Sequence, residues 1–429
     1  MKKILYIIAA IFITAQITKA QANSDIFSEF TSPLETITFE QFLHVVGQNN
    51  LGFIAETFEV SIAEAEARAE RVFADPELTA TFFENDYGSV LFGRGLELEL
   101  EWELEISGQR RSRIRLANSE AEMARILLDA TFADLRAEAA VAFLEAQKQI
   151  RMLELIQENY EAMRDLHRFD SLRFALGEIP EIEFLQTRLE TRQLRNELFG
   201  QIAEVQSAMA EMNEMAGRNP LLLLKPATPL TLPRTNEFIL GDLLVYALDD
   251  HVDLAVVMQE KQITRDELRL VRAERGLELG LSLAYEMREE SGEWGGFHSI
   301  AFGVTVPLRF SNINRGELVA AQLAVEQAEM EHRAMELEIK RYISQAFFEY
   351  HGLKRQIEQF RDGMLDDARR IFEGELFAYM QGETSLLYVR IARQEYNEVM
   401  EEYIETLFEY AAAVVELNRV SGMWNVSFD

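Results

Sequence analysis

Leu96 to Ile106 reads LELELEWELEI, with a glutamate at every second position and a large apolar side chain at each position between. Period two marks a β-strand, whose successive side chains point to opposite faces. One face carries Leu96, Leu98, Leu100, Trp102, Leu104 and Ile106, the other Glu97, Glu99, Glu101, Glu103 and Glu105. Neighbouring carboxylates on such a face stand about 7 Å apart, and in water their repulsion is about 0.6 kcal/mol per pair. In a dry core each would cost several kcal/mol. The glutamate face must therefore be wet, and the apolar face must meet a protein core or a lipid bilayer.

The N-terminal residues narrow the choice. Lys2 and Lys3 precede an apolar run from Ile4 to Ile13, and Thr18-Lys19-Ala20 places small residues before a cut ahead of Gln21. This pattern predicts a cleaved export signal over 1–20, since the run falls short of the roughly 20 apolar residues a spanning helix needs. Loss of the signal leaves 39 basic against 73 acidic residues, because three of the 42 basic residues lie within it. Nucleic acid is a poor partner for so acidic a surface. A chain without cysteine has no disulfide, thiol nucleophile, thiolate metal site or lipid-modified cysteine.

Four of the eight prolines, Pro220, Pro226, Pro229 and Pro233, fall between Asn219 and Phe238 and predict an extended linker over 217–237. None interrupts 107–179 or 312–420. There the apolar residues recur at alternating steps of four and three, as in Leu128, Phe132, Leu135, Ala139, Ala142, Ala146, Gln149, Leu153, Ile156, Tyr160 and Met163. Ile339 to Met364, Leu194 to Met215 and Val389 to Leu417 repeat the rule. It predicts long coiled-coil-like helices over about 108–176, 181–216, 314–380 and 384–420. The longest reach about 100 Å at about 1.5 Å per residue.

The linker separates two halves with one plan, so the chain reads as an internal duplication over 21–216 and 238–421 with a tail over 422–429. Each half opens with short helical segments (38–74; 240–275) and enters a strand pair, about 77–83 and 96–106, then about 277–286 and 299–310. Ile300, Phe302, Val304 and Val306 take the apolar side of the last strand. Glycine-bearing loops, ENDYGSVLFGRG and REESGEWGGFHS, join the partners. Gly177 matches Gly382 at the helical turns, and Ala117 matches Ala320.

Four strands cannot close a membrane barrel, which needs at least eight, and left open their edges stay unpaired. Several chains contributing four strands each resolve both problems, with the apolar side toward lipid and the acidic side toward a lumen. The long helices then project as a tube.

This plan resembles the TolC-type outer-membrane efflux proteins, over essentially the whole mature sequence. Asp75-Pro76-Glu77-Leu78 and Ser107-Gly108-Gln109-Arg110-Arg111-Ser112-Arg113-Ile114, followed by Ala117, are most similar to outer-membrane subunits of heavy-metal cation efflux systems. The resemblance implies a mainly α fold with a membrane β-barrel portion: a homotrimer sharing a twelve-stranded barrel above an α-helical tunnel. It implies residence in the outer membrane of a Gram-negative bacterium, with a periplasmic extension coupled through an adaptor protein to an inner-membrane pump. By the same resemblance Gly177, Glu178, Ile182, Gly382, Glu383 and Leu387 are candidates for adaptor contact. Some members carry aperture aspartates where this chain has Tyr388 and Ile391, so Glu183 or a hydrophobic ring is left for that role.

Other chemistry finds no support. His44, His167, His251, His298, His332 and His351 show no metal-ligand spacing. Gly93-Arg94-Gly95 runs into leucine and is no dinucleotide fingerprint. No nucleophile elbow or HExxH motif occurs, and no catalytic residue or cofactor is expected. Gly352, Gly363 and Gly374, eleven residues apart, suggest close helix approach as one reading of their spacing. The expected function is a passive outer-membrane conduit, for heavy-metal cations or alternatively for drugs or secreted proteins. A soluble periplasmic coiled-coil scaffold is the reading from another class.

Overall fold

A computed structural model describes residues 35–87, 90–222, 224–233, 237–276, 278–290, 293–306 and 315–428. The expected export signal, Leu277 and the 307–310 end of the last strand lie outside the described residues. Chain order is β1 (Glu35–Ile37), α1 (Phe39–Asn49), α2 (Leu51–Ala69), β2 (Glu77–Tyr87), β3 (Val90–Glu105), α3 (Gln109–Ala175), α4 (Glu181–Met215) and β4 (Leu224–Pro226). There follow α5 (Leu240–Asp250), α6 (Val252–Glu274), β5 (Glu278–Glu290), β6 (Glu293–Thr305), α7 (Arg315–Gln359), a wide turn over Phe360–Met364, α8 (Leu365–Gln381) and α9 (Leu386–Ser421).

The short helices that open each half are split by one polar residue. Asn50 ends α1, accepts from the Phe53 N–H at 2.9 Å to cap α2, and donates to the Met215 carbonyl at 3.0 Å. His251 does likewise between α5 and α6, accepting from the Asp253 N–H at 3.1 Å. Such caps satisfy N–H groups that a helix start leaves without partners.

β2, β3, β5 and β6 form one open antiparallel sheet in that order. Both hairpins run further than side-chain alternation indicates, because backbone pairing continues through most of the two expected loops as far as Tyr87↔Val90 and Glu290↔Glu293. Gly95 permits this in β3: a Cβ there would stand 2.3 Å from the Phe83 ring on the neighbouring strand. At the other end Ile106, expected as the last strand residue, lies beyond β3.

α3 runs unbroken for 67 residues, about 100 Å. α4 returns along it, and the polar residues of the two apolar seams meet, Gln201 donating to Gln149 at 2.6 Å. The expected continuous helix over 314–380 is interrupted instead. At Phe360–Met364 the backbone leaves helical geometry, with Asp362 at φ −82°, ψ 40° and Gly363 at φ +104°. Glycine adopts that conformation without the steric cost a Cβ imposes. A Cβ on Gly352 or Gly374 would meet open space, so within one chain the spacing serves no close helix approach.

The main core lies midway along the helices, where Phe39, Phe42, Phe143, Leu144, Met212, Leu243, Ile343 and Leu417 are buried together. Two segments read as connectors contribute to it. Leu224–Pro226 of the linker pairs in parallel with β1, and in the tail Val426 and Phe428 are buried, the Phe428 ring 4.9 Å from that of Phe39.

Candidate functional site

The sheet has two chemically distinct faces. Register aligns Leu78, Leu100, Leu283 and Phe302 in one row, and Leu98, Tyr285 and Ile300 in another. Leu96, Leu98, Leu100, Trp102 and Leu104 share this face with Ile300, Phe302 and Val304. Many of its side chains lie open: Phe302 is 84% exposed, Leu78 69%, Ile300 67% and Val304 66%, and Val306 just past the strand is also exposed. An apolar surface so extended needs a cover. At the hairpin end Phe82 of β2 stacks on Trp294 of β6 at 6.2 Å.

The other face carries Glu97, Glu99, Glu101, Glu103 and Glu105. Glu101 stands opposite Glu77 and Ser282, Glu99 opposite Thr79 and Ala284, and Glu103 opposite Gly280. Thr79, Gly280, Ser282 and Ala284 leave room beside Glu99, Glu101 and Glu103, whereas Glu97 faces Glu286, Glu101 faces Glu77 and Glu105 faces Glu278, so like charge gathers on this face. Acidity continues below the sheet: Glu105 pairs with Arg113, which also holds Glu70 at 3.1 Å. Burial, with the charges of Glu267, Glu66 and Glu70, raises the Glu120 carboxyl above its ordinary range.

At the opposite end the turns of the two helical hairpins superpose in kind. Gly177 (φ +76°) and Gly382 (φ +74°) are left-handed. The following N–H groups reach back over one turn, Glu178 to the Arg173 carbonyl at 2.8 Å and Glu383 to the Ala378 carbonyl at 2.9 Å. This is the Schellman arrangement that glycine permits at a helix end. Around the turns Ile182, Leu387, Tyr388 and Ile391 are exposed, as are Glu178 and Glu383, while Glu183 is half-buried.

Between these turns and the core the two hairpins are tied by buried polar groups. Asp170 of α3 is fully buried and accepts from the Tyr379 hydroxyl of α8 at 3.0 Å. Burial pushes the Asp170 carboxyl up, against the lowering influence of the Tyr379 and Thr187 hydroxyls and Arg173. Burial lowers His167, whose ring lies 5.3 Å from that of Phe184. Further up, Glu190 of α4 binds both Arg393 and Arg390 of α9, the latter at 3.4 Å. Continuing the seam of α3 by two steps beyond Met163 lands on His167 and Asp170, so the periodicity held a signal for them. Glu190 and Arg393 lie off the seams and gave none.

Among the described residues no group of three or more His, Cys, Asp or Glu side chains is arranged to hold a metal ion, and no helix is long and apolar enough to cross a membrane. The latter says nothing of strands.

Comparison with known proteins places this architecture. A protein from Cupriavidus metallidurans described as cobalt-zinc-cadmium resistance protein CzcC is 21% identical over 419 residues, 97% of this chain and 98% of its own length. A membrane protein from Pseudomonas aeruginosa shares the fold with a TM-score of 0.77 at 18% identity, covering 90% of this chain and 92% of its own. A solved CusC channel shares it at 0.74 and 14% identity, with the same coverage. The CusC structure is described in terms of transmembrane channel formation. The family model described as outer membrane efflux protein matches residues 43–218 and 243–423, most of both repeats, and the chain accordingly belongs to the outer membrane efflux protein family.

Proposed function

We propose that three copies of this chain pool their sheets into one twelve-stranded barrel, closed edge to edge, that carries heavy-metal cations outward through a lumen lined by Glu97, Glu99, Glu101, Glu103 and Glu105. The observation that carries the proposal is the pair of opposed faces on an open sheet whose strands lead toward helices about 100 Å long. The dimensions support it. Val304 lies in the row of Trp102, and the ten residues back to Trp294 span about 33 Å of strand, or about 25 Å of height at a tilt of about 40°. That matches the apolar band of an outer-membrane barrel. Fifteen strand glutamates per trimer, with Glu66, Glu70 and Glu120 below them, raise the local cation concentration by their summed field rather than by coordination.

In this reading Gly177, Glu178, Ile182, Gly382, Glu383 and Leu387 present the surface met by a periplasmic adaptor, itself joined to an inner-membrane pump. Exposed Tyr388 and Ile391, with Glu183 at the matching position of the first hairpin, narrow the aperture as a largely hydrophobic ring. The metal cargo is supported by the named activity of the Cupriavidus relative. Purified protein reconstituted in planar bilayers tests the conduit. Cation-selective conductance is expected, falling toward no selectivity when all five strand glutamates become glutamine, and unchanged selectivity rejects the role given to them. Deleting the gene and comparing sensitivity to metal ions with sensitivity to drugs tests the cargo.

A further inference from the structure

The outer flank of the helices, just beyond the sheet, carries charge opposite to that of the chain as a whole. Formal net charge is −31, yet an arginine group gathers where the apolar face ends, and no lysine occurs between Lys19 and Lys148. Contacts trace its position. Trp102, on the apolar face, donates its indole N–H to the Ala74 carbonyl at 3.0 Å. The Arg110 guanidinium lies 4.0 Å over the adjacent Phe73 ring and donates to the Arg71 carbonyl. Arg71 donates to Asn118 at 3.2 Å. Asn118 shares a groove with Arg111 and Arg115, whose far wall is Gln259, Gln262 and Asp266 of α6. Arg272 stands one turn beyond Arg269, the partner of Asp266.

The opposite flank behaves differently. Arg113 turns to Glu105 and Glu70, and Glu120 lies amid acids there. Outer-flank acids are already engaged, Glu64 and Glu122 each holding Arg125 at 2.8 Å. Among the described residues Arg111, Arg115 and Arg272 are exposed and have no ion-pair partner, and the buried Nε of Arg110 has no hydrogen-bond partner. Arg111 and Arg115 are separated by about 6 Å of helix rise, comparable to the headgroup layer about 5–8 Å thick on each side of a bilayer.

We infer that Arg71, Arg110, Arg111, Arg115 and Arg272 form a collar that binds the phosphates of anionic phospholipids in the leaflet adjoining the helices. The inference rests on the bilayer reading of the apolar face. Arginine suits the task because its planar fork grips two phosphate oxygens at once, and negatively charged membrane surfaces draw basic residues placed at their edge. The collar fixes the depth of the barrel, with Trp102 at the hydrocarbon boundary and guanidinium groups one layer outward. Acid inside and base outside also keep lipid phosphate from competing for the lumen.

The test uses full-length protein in neutral detergent, titrated with phosphatidylglycerol or phosphatidylcholine of identical acyl chains, with retained lipid measured after gel filtration. Retention of phosphatidylglycerol is expected to exceed that of phosphatidylcholine about tenfold at low salt, the excess vanishing by about 0.5 M NaCl. R71Q/R111Q/R115Q/R272Q should lower phosphatidylglycerol to the phosphatidylcholine level, whereas R168Q/R192Q/R195Q, far from the sheet, should not. If the fourfold variant misfolds, the native protein still decides, since an excess unchanged by salt overturns the collar. Displacement of the lipid by millimolar inorganic phosphate overturns it too, by making free phosphate the ligand. Protein that needs detergent yet retains both lipids equally overturns the collar and leaves the bilayer reading standing. Protein that stays dispersed without any amphiphile overturns both.

Discussion

The first repeat carries its long helix unbroken from Gln109 to Ala175, whereas the second interrupts the equivalent helix at Asp362 and Gly363. Both then end in the same glycine turn, at Gly177 and Gly382. The two hairpins thus share length and turn chemistry, and the second carries a bend. That bend lies between the main core and the turn, so α8 sets its own course to the point where Tyr379 meets Asp170 of the other hairpin. The ties between the repeats join residues that are not each other's counterparts. The position matching Asp170, seven before its glycine, is Glu375, and the position matching Tyr379 is Phe174. Polar pairing across the two hairpins is therefore made by residues that differ between them.

The largest way to disturb this relation is to cut the Glu190 tie. Arg393→Met leaves a nearly buried carboxylate with Arg390 as its one remaining ion-pair partner among the described residues, so the loss is expected near the lower end, about 3 kcal/mol, of what breaking a buried pair costs. Chemical unfolding should show that loss, and hydrogen exchange should locate it in α4 and α9. Tyr379→Phe comes next, at about 1–3 kcal/mol, because it removes the only hydroxyl that the other hairpin donates to buried Asp170 among the described residues. Exchange should quicken around residues 165–190 while the core near Phe143 stays protected.

Gly363→Ala should cost about 1–2 kcal/mol, since alanine must adopt φ +104° or straighten the helix. Gly352→Ala, in a regular helix with open space around it, should stabilise by up to about 1 kcal/mol. Thermal unfolding of the two variants in opposite directions would establish that the bend belongs to one glycine of the three. A similar loss from both would remove that distinction.

The smallest effect is a dependence on pH. Asp170 has its pKa raised by burial, so its contribution to stability is full below the unfolded value of about 4 and lost as pH rises through the folded value. His167 is lowered by burial, so its contribution is present above about 6.5 and lost as pH falls through the folded value. The two groups therefore act in opposite senses, Asp170 loosening the end of the first hairpin as pH rises and His167 loosening it as pH falls. Asp170→Asn should abolish the loosening toward neutral pH and keep the loosening in acid, read as amide exchange corrected for intrinsic rate.

Much of this was legible in the sequence because both periodicities are strong. Alternation at Leu96 to Ile106 places every glutamate on one face, and the four-three pattern identifies the helices. What escaped did so for physical reasons. Hairpin ends continue backbone pairing where the sequence no longer alternates apolar and polar residues, so side chains no longer report the strand, as at Glu84 and Arg288. The break at Gly363 is a backbone event in a stretch whose apolar pattern reaches Met364. The proposed collar of arginines spans α3, α6 and the turn after α2, and only packing brings Arg71, Arg111 and Arg272 to one flank. Seam positions His167 and Asp170 were readable by extension, whereas Glu190 needed the third dimension.

The edge-to-face contact between Phe39 and Phe428 bears on how the protein is made. A ring near the start of the described chain cannot complete its surroundings until one almost four hundred residues later has been synthesised. Closure of that pair carries a large loop-entropy cost and comes late. Until then the polypeptide lacks a finished hub, so the full core forms only once nearly the whole described chain is present.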